Sequence, residues 1–393
     1  MKKILALLLA LLLAFFPLCA CENESINDET VHIDDENIGN GVADRENFLE
    51  IGKPVRGVWF SYLELQAAPK KSEAEFSSFL SKKFELLKEH DINTIFVHVR
   101  PFADAIYESS LFPLSFCVSK KQGEKLPFDF LAAIINQAKR FDLSVHAWIN
   151  PYRILPKGAD EKKLCAKSPG KTFSYPDVVT LEEGMFFSPA SLKAQRLIIS
   201  GVREILQRYD VDGIHIDDYF YPCESEKIDC VQFEAYQKSG GRLSLPDWRR
   251  ENVNALIGGI YGEVKRFSPE KVFSISPSGN IEKNFSKYFA DVQKWAGEDG
   301  WCDLLIPQIY FGFENESLPF EKTALQWKEI SKSKSLCLCP GLALYKQGKD
   351  DPNAGESGRN EWIENADVIL RQIKFLEENG FDGYCLYSLD FLN

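Results

Sequence analysis

From residue 54 onward, short apolar runs alternate with amphipathic stretches, and this alternation limits the possible folds more than any other property of the chain. Eight runs have the length and composition of strands: "RGVWFSYL", "NTIFVHVRP", "SVHAWINPY", "VDGIHIDDY", "VFSISPSG", "DLLIPQIYF", "SLCLCPGLALY" and "FDGYCLYSLDF". The stretches between them, such as "EAEFSSFLSKKFELLKEH", repeat apolar residues at three- and four-residue spacing, as helices that cover a sheet do. Eight strands, each followed by a helix or loop, predict an α/β fold, a (β/α)8 TIM barrel formed by residues 54–393.

An open, doubly wound parallel sheet is the alternative arrangement of the same elements. Such sheets usually carry a glycine-rich phosphate-binding turn after the first strand, and "VWFSYLELQAAPK" contains no glycine. We therefore favour the barrel, with long loops at Pro156–Ser188 after the third strand and at Tyr221–Pro246 after the fourth. Loops at the C-terminal ends of barrel strands lie over the active face.

The first residues predict export. "MKKILALLLALLLAFFPLCAC" has two lysines, an apolar run and small residues before Cys21, which is the pattern of a secretory signal over residues 1–20. The ending Leu18–Cys21 resembles a bacterial lipobox, and the resemblance implies cleavage before Cys21 and a diacylglycerol on its sulfur. The chain would then be a cell-membrane lipoprotein on the extracytoplasmic side; plain secretion and an uncleaved anchor are the alternatives. Residues 21–53 are acidic and lack apolar periodicity, so we expect a flexible tether.

Charge and cysteine usage narrow the classes of function. The net charge of −12 argues against a nucleic-acid partner, because nucleic acids favour basic surfaces. The ten cysteines show neither CxxC spacing nor a dense framework, and we expect no metal site and no cofactor. Cys223 and Cys230 flank one predicted loop and could form a disulfide in an exported protein.

The C-terminal ends of the predicted strands bear polar residues that alternation directs toward the barrel axis. In a barrel these ends line the catalytic mouth, and successive side chains of a strand point alternately inward and outward. The residues expected to face the axis on the second, third and fourth strands are His98, Arg100, His146, Trp148, Asn150, His215 and Asp217. Three neighbouring strands would thus present polar groups to one cavity.

Asp217 is the strongest catalytic candidate, because an inward carboxylate at the end of a strand is unfavourable without a partner or a task. Asp218, the next residue, faces either the mouth or the following loop. Cleavage of a glycosidic bond normally takes two carboxyl groups, a proton donor and a nucleophile or base. Asp217 suits the role of nucleophile or base, and the proton donor is left open among Asp218, Asp104, Glu108 and Asp390.

Aromatic and amide side chains at the same strand ends suit a carbohydrate ligand. Aromatic faces stack on the C–H surfaces of sugars, while amides and guanidinium groups bind hydroxyls. The histidines favour hydrogen-bonded supporting positions over the roles of metal ligand or base. The predicted substrate-contacting residues are Arg100, His146, Trp148, Asn150, His215, Gln308, Tyr310, Tyr387 and Asp390.

Several motifs together resemble a known family. "RGVWFSYL", "FVHVRPFADAIYESSLFPLS", "AWINPYR", "DGIHIDDYFYP", "SISPSG" and "IPQIYF" resemble the glycosyl-hydrolase-like family 10 of bacterial envelope proteins. The resemblance implies a TIM-barrel glycosidase, often lipid-anchored, that acts on cell-envelope glycan, with peptidoglycan strands as the substrate most associated with such proteins. In the family's acidic fourth-strand motif fall Asp217 and Asp218. Beside them, the matching positions are Arg100, Asn150, Tyr219 and Gln308.

Three functions compete for these residues. The first is a glycosidase whose partners are an extracytoplasmic polysaccharide and, through the N-terminal lipid, a membrane. The second is a glycan-binding lipoprotein without activity, because "SISPSG" ends the fifth strand without a carboxylate. The third is a metal hydrolase that uses His98, His146, His215 and Asp217. It is disfavoured because metal barrels usually place ligands as His-x-His or on opposing strands, and neither pattern occurs.

Overall fold

The computed structural model describes residues 54–218 and 220–392. The predicted signal segment, residues 1–20, and the predicted tether, residues 21–53, lie outside the described residues, as does Tyr219. Signal cleavage, lipidation of Cys21 and flexibility of the tether therefore stay predictions. None of the helices within the described residues is long and apolar enough to span a bilayer.

Twelve strands lie within the described residues, and nine of them form one parallel sheet. The strands are β1 (Val55–Phe60), β2 (Thr94–Arg100), β3 (Ser144–Ile149), β4 (Arg153–Pro156), β5 (Val178–Leu181), β6 (Gly184–Phe187), β7 (Gly213–Ile216), β8 (Val272–Ile275), β9 (Leu304–Leu305), β10 (Cys337–Leu338), β11 (Gly341–Leu342) and β12 (Gly383–Leu386). The order of the large sheet is β10-β9-β8-β7-β3-β2-β1-β12-β11. With helices along the connections, this is a curled parallel sheet of the α/β-barrel type.

The two strands at the ends of that order belong to one short segment of chain. β10 pairs with β9, β11 pairs with β12, and only Cys339 and Pro340 separate the two strands. The Cys339 N–H donates to Leu305 O at 3.0 Å, and the Cys385 N–H donates to Pro340 O at 3.0 Å. The segment is therefore hydrogen-bonded on both sides, and its interruption falls at a proline that has no N–H for a ladder.

Most of the described helices begin at a side-chain cap, and the longer ones cover the outer face of the sheet. Within the described residues they are α1 (Tyr62–Ala67), α2 (Glu73–Glu89), α3 (Phe130–Arg140), α4 (Pro169–Thr172), α5 (Leu192–Arg208), α6 (Cys230–Lys238), α7 (Leu245–Phe267), α8 (Ile281–Ser286), α9 (Val292–Gly297), α10 (Phe320–Ile330), α11 (Gly355–Gly358), α12 (Glu361–Glu364) and α13 (Val368–Glu378). In α2, Ser72 caps the first turn by accepting from the Glu75 N–H, and the spaced residues Phe76, Leu80 and Phe84 are fully buried.

The side chains of the large sheet form two separate apolar layers. Outward residues of β2 and β7, such as Val97 and Ile214, join the extensive core beneath the helices. Inward residues form a second cluster around Trp59, Phe96 and Cys385. The interior of the sheet is thus packed with side chains, as in other α/β barrels.

The chain makes two long excursions between strands on the side where the strands end. After β3 it forms a small antiparallel sheet of order β4-β6-β5, together with α4, so this predicted loop contains secondary structure of its own. After β7, residues 217–229 lead into α6 and then α7. Cys223 and Cys230 in this second excursion are free thiols, so the disulfide considered between them is not formed.

Arg249 of α7 fastens the end of the second excursion. Its guanidinium donates to both carboxylate oxygens of Asp229, each at 2.7 Å, and both side chains are almost completely buried. It also donates to the carbonyl oxygens of Glu224 at 3.2 Å and Ser225 at 3.1 Å. One buried cation thereby holds the backbone of the loop that begins at Asp217.

Candidate active site

A hydrogen-bonded network fills the interior of the sheet just below the strand ends. The Trp59 indole N–H donates to His215 Nε2 at 3.0 Å, so the imidazole proton must lie on Nδ1, 2.9 Å from Ser274 Oγ. Ser274 Oγ in turn donates to Ile214 O at 3.3 Å, and His146 Nδ1 lies 3.3 Å from the same hydroxyl. These contacts place His146 and His215 inward, as alternation predicts, but in the buried support beneath the mouth.

Burial keeps these two imidazoles neutral. It lowers the pKa of His215 well below the usual value, and the nearby His146 lowers it further. It also lowers the pKa of His146 to about 4, against an opposing effect of the Asp212 carboxylate. Neutral, hydrogen-bonded rings with no exposed edge support their neighbours rather than exchange protons with substrate.

A second layer of inward side chains lies at the ends of β2 and β3. The His98 ring stacks on the Trp148 indole with centroids 3.7 Å apart and planes 11° apart, and the Tyr62 ring meets His98 edge-on at 5.5 Å. Asn150 follows β3 directly and donates to Pro101 O at 3.2 Å. Burial lowers the pKa of His98 well below its usual value, and the Arg153 charge lowers it further. This layer is a neutral aromatic and amide surface.

Asp217 and Asp218 follow the last residue of β7. Asp217 lies two positions beyond His215 on the inward side of the alternation and is 5% exposed. Asp218 is partly exposed and accepts a hydrogen bond from the Gln308 amide, which also donates to Ser276 O at 3.1 Å. Burial raises the pKa of Asp218, while hydrogen bonds and the charges of Lys283 and Arg153 oppose the rise. A carboxyl group that holds its proton to higher pH is suited to donate it.

Three tyrosine rings form one wall beside Asp218. Tyr310, Tyr345 and Tyr387 pack against one another with centroids 5.9 to 6.0 Å apart, and Trp59 lies 5.9 Å from Tyr387. Burial raises the pKa of Tyr310 well above its usual value, and the neighbouring tyrosines and Asp218 add to this rise. The Tyr310 phenol therefore stays protonated, and the three rings offer aromatic faces to a ligand.

The prediction that Arg100 faces the barrel axis is wrong. The pairing of β2 with β3 runs His98 with Trp148 and then Arg100 with Ile149, so one residue of β2 bulges out of register. A bulge reverses the alternation that follows it. Arg100 therefore points outward, where it is 1% exposed and lies 4.0 Å above the Phe112 ring.

Gly201 of α5 provides the space that Arg100 occupies, which allows a test of this placement. A Cβ added at Gly201 would overlap Arg100 Nη1 and lie 2.7 Å from a carbon of the Phe112 ring. We expect Gly201→Ala to lower the free energy of unfolding by about 1–3 kcal/mol, because the buried guanidinium cannot move away. Gly262→Ala is the matched control, since Gly262 is an exposed helical glycine with open space around it, and it should be neutral or stabilising. Chemical denaturation of both variants measures the difference.

Asp104 lies in a closed pocket after β2. It is fully buried and accepts a hydrogen bond from Gln122 Nε2 at 3.2 Å, with Ser115 and the Phe116 N–H as further donors. Burial raises its pKa to about 6, against the opposing effects of these donors and of Arg100. The carboxyl oxygens are not exposed, so a substrate cannot contact them.

The raised pKa of Asp104 predicts a pH dependence of stability. The folded protein holds this proton up to about pH 6, whereas the unfolded chain releases it near 3.8. Stability is therefore full below the unfolded pKa and falls as pH rises through the folded value, by about 3 kcal/mol in all. Asp104→Asn should remove this slope between about pH 4 and pH 6 in denaturation curves. Equal slopes in the wild type and the variant would contradict the prediction.

The remaining carboxylate candidates lie in other surroundings. Asp390 forms an ion pair with Lys83 of α2 at 2.8 Å and is half exposed. Glu108 is exposed in the loop after β2. The structure therefore brings together Asp218, Gln308, Tyr310 and Tyr387, with Asp217 adjacent to Asp218 in the chain.

Sequence reasoning missed Arg153 and Lys283 at this site. Their charges act on Asp218, and Tyr345, the last residue of the predicted strand "SLCLCPGLALY", completes the tyrosine wall. Arg153 stands in the quoted motif "AWINPYR", which is the only local signal for either cation. Within the described ranges there is no cluster of three or more His, Cys, Asp or Glu side chains that could hold a metal ion.

The fold and the site together define a glycosidase-like α/β barrel, and comparison with known proteins gives the family. The chain matches the family described as glycosyl hydrolase-like 10 over residues 54–355 and belongs to that family. The resemblance seen in the sequence motifs is thus confirmed.

Two relatives and one solved structure illustrate the match. The chain is 31% identical over 331 residues to "Glycosyl hydrolase YngK" of Bacillus subtilis, a match that covers 79% of this chain and 62% of the length of that relative. It is 29% identical over 377 residues to "Glycosyl hydrolase DigH" of Escherichia coli K12, with 87% of this chain and 84% of that protein covered. The PgaB (BpsB) glycoside hydrolase domain of Bordetella bronchiseptica superposes with a TM-score of 0.57 at 13% identity, over 86% of this chain and 95% of that chain. The last likeness shows the fold alone.

Proposed function

We propose that this protein is a glycoside hydrolase that cleaves an extracytoplasmic polysaccharide, with peptidoglycan glycan strands as the substrate. The observation that carries the proposal is the pair at the end of β7: a buried inward carboxyl group, Asp217, next to Asp218, whose pKa burial raises and which Gln308 contacts. Two carboxyl groups in different environments are what glycoside hydrolysis requires. Membership of the glycosyl hydrolase-like 10 family and the names of the two relatives support the class of reaction.

The proposed chemistry divides the two roles between neighbouring residues. Asp218 donates its proton to the glycosidic oxygen as the bond to the anomeric carbon breaks. Asp217 either attacks the anomeric carbon or removes a proton from the water that does so. Water adds across the bond in both cases, giving one new hemiacetal and one free hydroxyl, and Asp218 recovers its proton. The fully buried Asp104 and the ion-paired Asp390 are less suited to the donor role.

We also propose that the sheet closes into a (β/α)8 barrel with eight staves. Because β10 and β11 lie in one segment that hydrogen-bonds to β9 and to β12, the segment serves as the seventh stave. Closure would set the ends of all staves around one mouth, with the excursions after β3 and β7 as its walls. The proposed location is the outer surface of a cell membrane, reached by export and lipidation at Cys21.

A glycan-binding protein without activity is the second candidate. The end of β8 supports it, because Ser276, Pro277 and Ser278 stand there without a carboxyl group. Among the described strands of the large sheet, only β7 is followed by two adjacent acidic residues. The adjacent acidic pair Glu182–Glu183 follows β5, which belongs to the small antiparallel sheet and not to the large sheet. A protein without activity would bind glycan strands through the same aromatic wall and release nothing.

Mass spectrometry of products released from purified peptidoglycan tests the proposal. Intact and peptide-stripped peptidoglycan are incubated with the wild-type protein and with Asp217→Asn. We expect muropeptide or saccharide fragments with new reducing ends from the wild type only. Binding of both proteins without release would favour the second candidate, and equal release by Asp217→Asn would exclude the proposed role of Asp217.

A further inference from the structure

Three side chains from the segment after β11 bind four backbone groups of the loop after β9. Lys346 Nζ donates to Tyr310 O at 2.8 Å, and Gln372 Nε2 donates to Phe311 O at 2.8 Å. Glu361 accepts from two N–H groups just beyond Gly312, those of Phe313 at 2.9 Å and Glu314 at 3.0 Å. A loop with this many side-chain contacts to its backbone has little freedom to change conformation.

Glu361 is the central residue of this contact. It is 2% exposed, and each of its two carboxylate oxygens accepts one backbone N–H. Gly312 lies so close to the same carboxylate that a Cβ there would overlap it. The close approach needs a glycine on the loop and an acceptor on α12, and the chain provides both.

The loop that Glu361 holds carries two groups of the candidate active site. Gln308 hydrogen-bonds to Asp218, and the Tyr310 ring stands against Tyr345 and Tyr387 beside Asp218. Gln308 forms bridges of its own to Ser278 and Gly341, and only Ile309 separates it from Tyr310. A shift of the held backbone would therefore move Tyr310 directly and act on Gln308 through Ile309.

We propose that Glu361 and Gln372 are positioning residues of the active site, which hold the Tyr310–Glu314 backbone and through it keep Gln308 and Tyr310 against Asp218. The proposal rests on the function proposed above. Both residues lie beyond residue 355, where the match to the family ends, in α12 and α13.

The pKa of Asp218 should change when this positioning is lost. The charged and titratable groups that face it are Lys283 of α8, Arg153 of β4, Tyr310 of the held loop and the adjacent Asp217. The Gln308 hydrogen bond, like the two cations, lowers the pKa of Asp218 against the effect of burial. Loosening the loop weakens the Gln308 hydrogen bond and leaves the two cations in place, so the pKa of Asp218 should rise.

Carbon-13 NMR titration of the aspartate carboxyl groups measures this directly, with the Asp218 signal assigned from Asp218→Asn. The test variants are Glu361→Ala and Gln372→Leu. Glu364→Ala is the matched control, since Glu364 is exposed on the same short helix. We expect the Asp218 signal to titrate at higher pH in both test variants and as in the wild type in the control. The kcat for glycan release should fall roughly ten- to a hundredfold, and the pH–rate limb of the acid should move upward.

The possible results separate this inference from the proposed function. A lower melting temperature with an unchanged Asp218 titration and an unchanged pH–rate limb would overturn the positioning role and show that Glu361 only stabilises the fold. Should the wild type release no product while the Asp218 titration still moves, the positioning contact stands and the hydrolase assignment fails. If Glu361→Ala does not fold, Gln372→Leu gives the same reading, because it removes a different bond to the same backbone.

Discussion

Asp217→Asn is expected to lower the kcat for glycan cleavage by at least about a thousandfold while the protein stays folded. The amide keeps the size of the buried side chain but can neither attack an anomeric carbon nor accept a proton from water. Because the Trp59–His215–Ser274 network supports the end of β7 from below, the backbone should keep its place. Reducing-end release from peptidoglycan strands measures the effect, and circular dichroism checks the fold.

Asp390→Asn is the matched control for that experiment. Asp390 is also an aspartate near the end of a strand of the large sheet, but it forms an ion pair with Lys83 at 2.8 Å and is half exposed. We expect the kcat of the Asp390→Asn variant to stay within a few-fold of the wild-type value. If both variants keep activity, Asp217 is not the reacting carboxylate; if both lose it, the effect is not specific to the end of β7.

Breaking the Arg249–Asp229 pair is expected to have the largest effect on stability. Both side chains are almost completely buried and share two hydrogen bonds of 2.7 Å, so Arg249→Met leaves a buried carboxylate without its cation. Removal of one partner of such a pair costs about 3–5 kcal/mol in the free energy of unfolding. Activity should fall as well, because the guanidinium also holds the carbonyls of Glu224 and Ser225 in the loop that begins at Asp217.

A surface ion pair provides the control. A double variant separates the effect of the unpaired buried charge from the effect of the lost backbone contacts. Lys139 and Asp210 lie 2.6 Å apart, yet both side chains are more than half exposed, so Lys139→Met should cost less than about 1 kcal/mol. Arg249→Met combined with Asp229→Leu should recover part of the loss, because it removes the unpaired charge. A double variant that is no more stable than Arg249→Met would mean that the backbone contacts of Arg249, and not its charge, stabilise the loop.

The elements with regular apolar spacing could be predicted from the sequence. The stretch "EAEFSSFLSKKFELLKEH" corresponds to α2, which begins at Glu73 and buries Phe76, Leu80 and Phe84. "GIHIDD" corresponds to β7, whose isoleucines face the helices and whose His215 faces the interior. In both cases the direction in which a side chain points depends on its position in the repeat of one helix or strand. That repeat can be read from the sequence.

Arg100 could not be placed from the sequence, because its orientation depends on a bulge in the pairing of β2 with β3. The pattern of β2 alone continues without a break, and only the register against Ile149 shows that alternation reverses. The same holds for Asp104, which looked like a rim residue until its packing against Gln122 and Ser115 showed a closed pocket.

Local sequence patterns were sufficient to predict the alternating strands and helices and an export signal. They also identified the acidic pair after β7 as candidate catalytic residues. Folding in three dimensions was needed to select among the carboxyl groups, to turn Arg100 away from the mouth and to connect Glu361 with Tyr310. Those outcomes depend on pairs of residues between 18 and 101 positions apart, such as Gln122 with Asp104, and Gly201 with Arg100, which an added Cβ at Gly201 would overlap. Periodicity within one element carries no information about contacts of that kind.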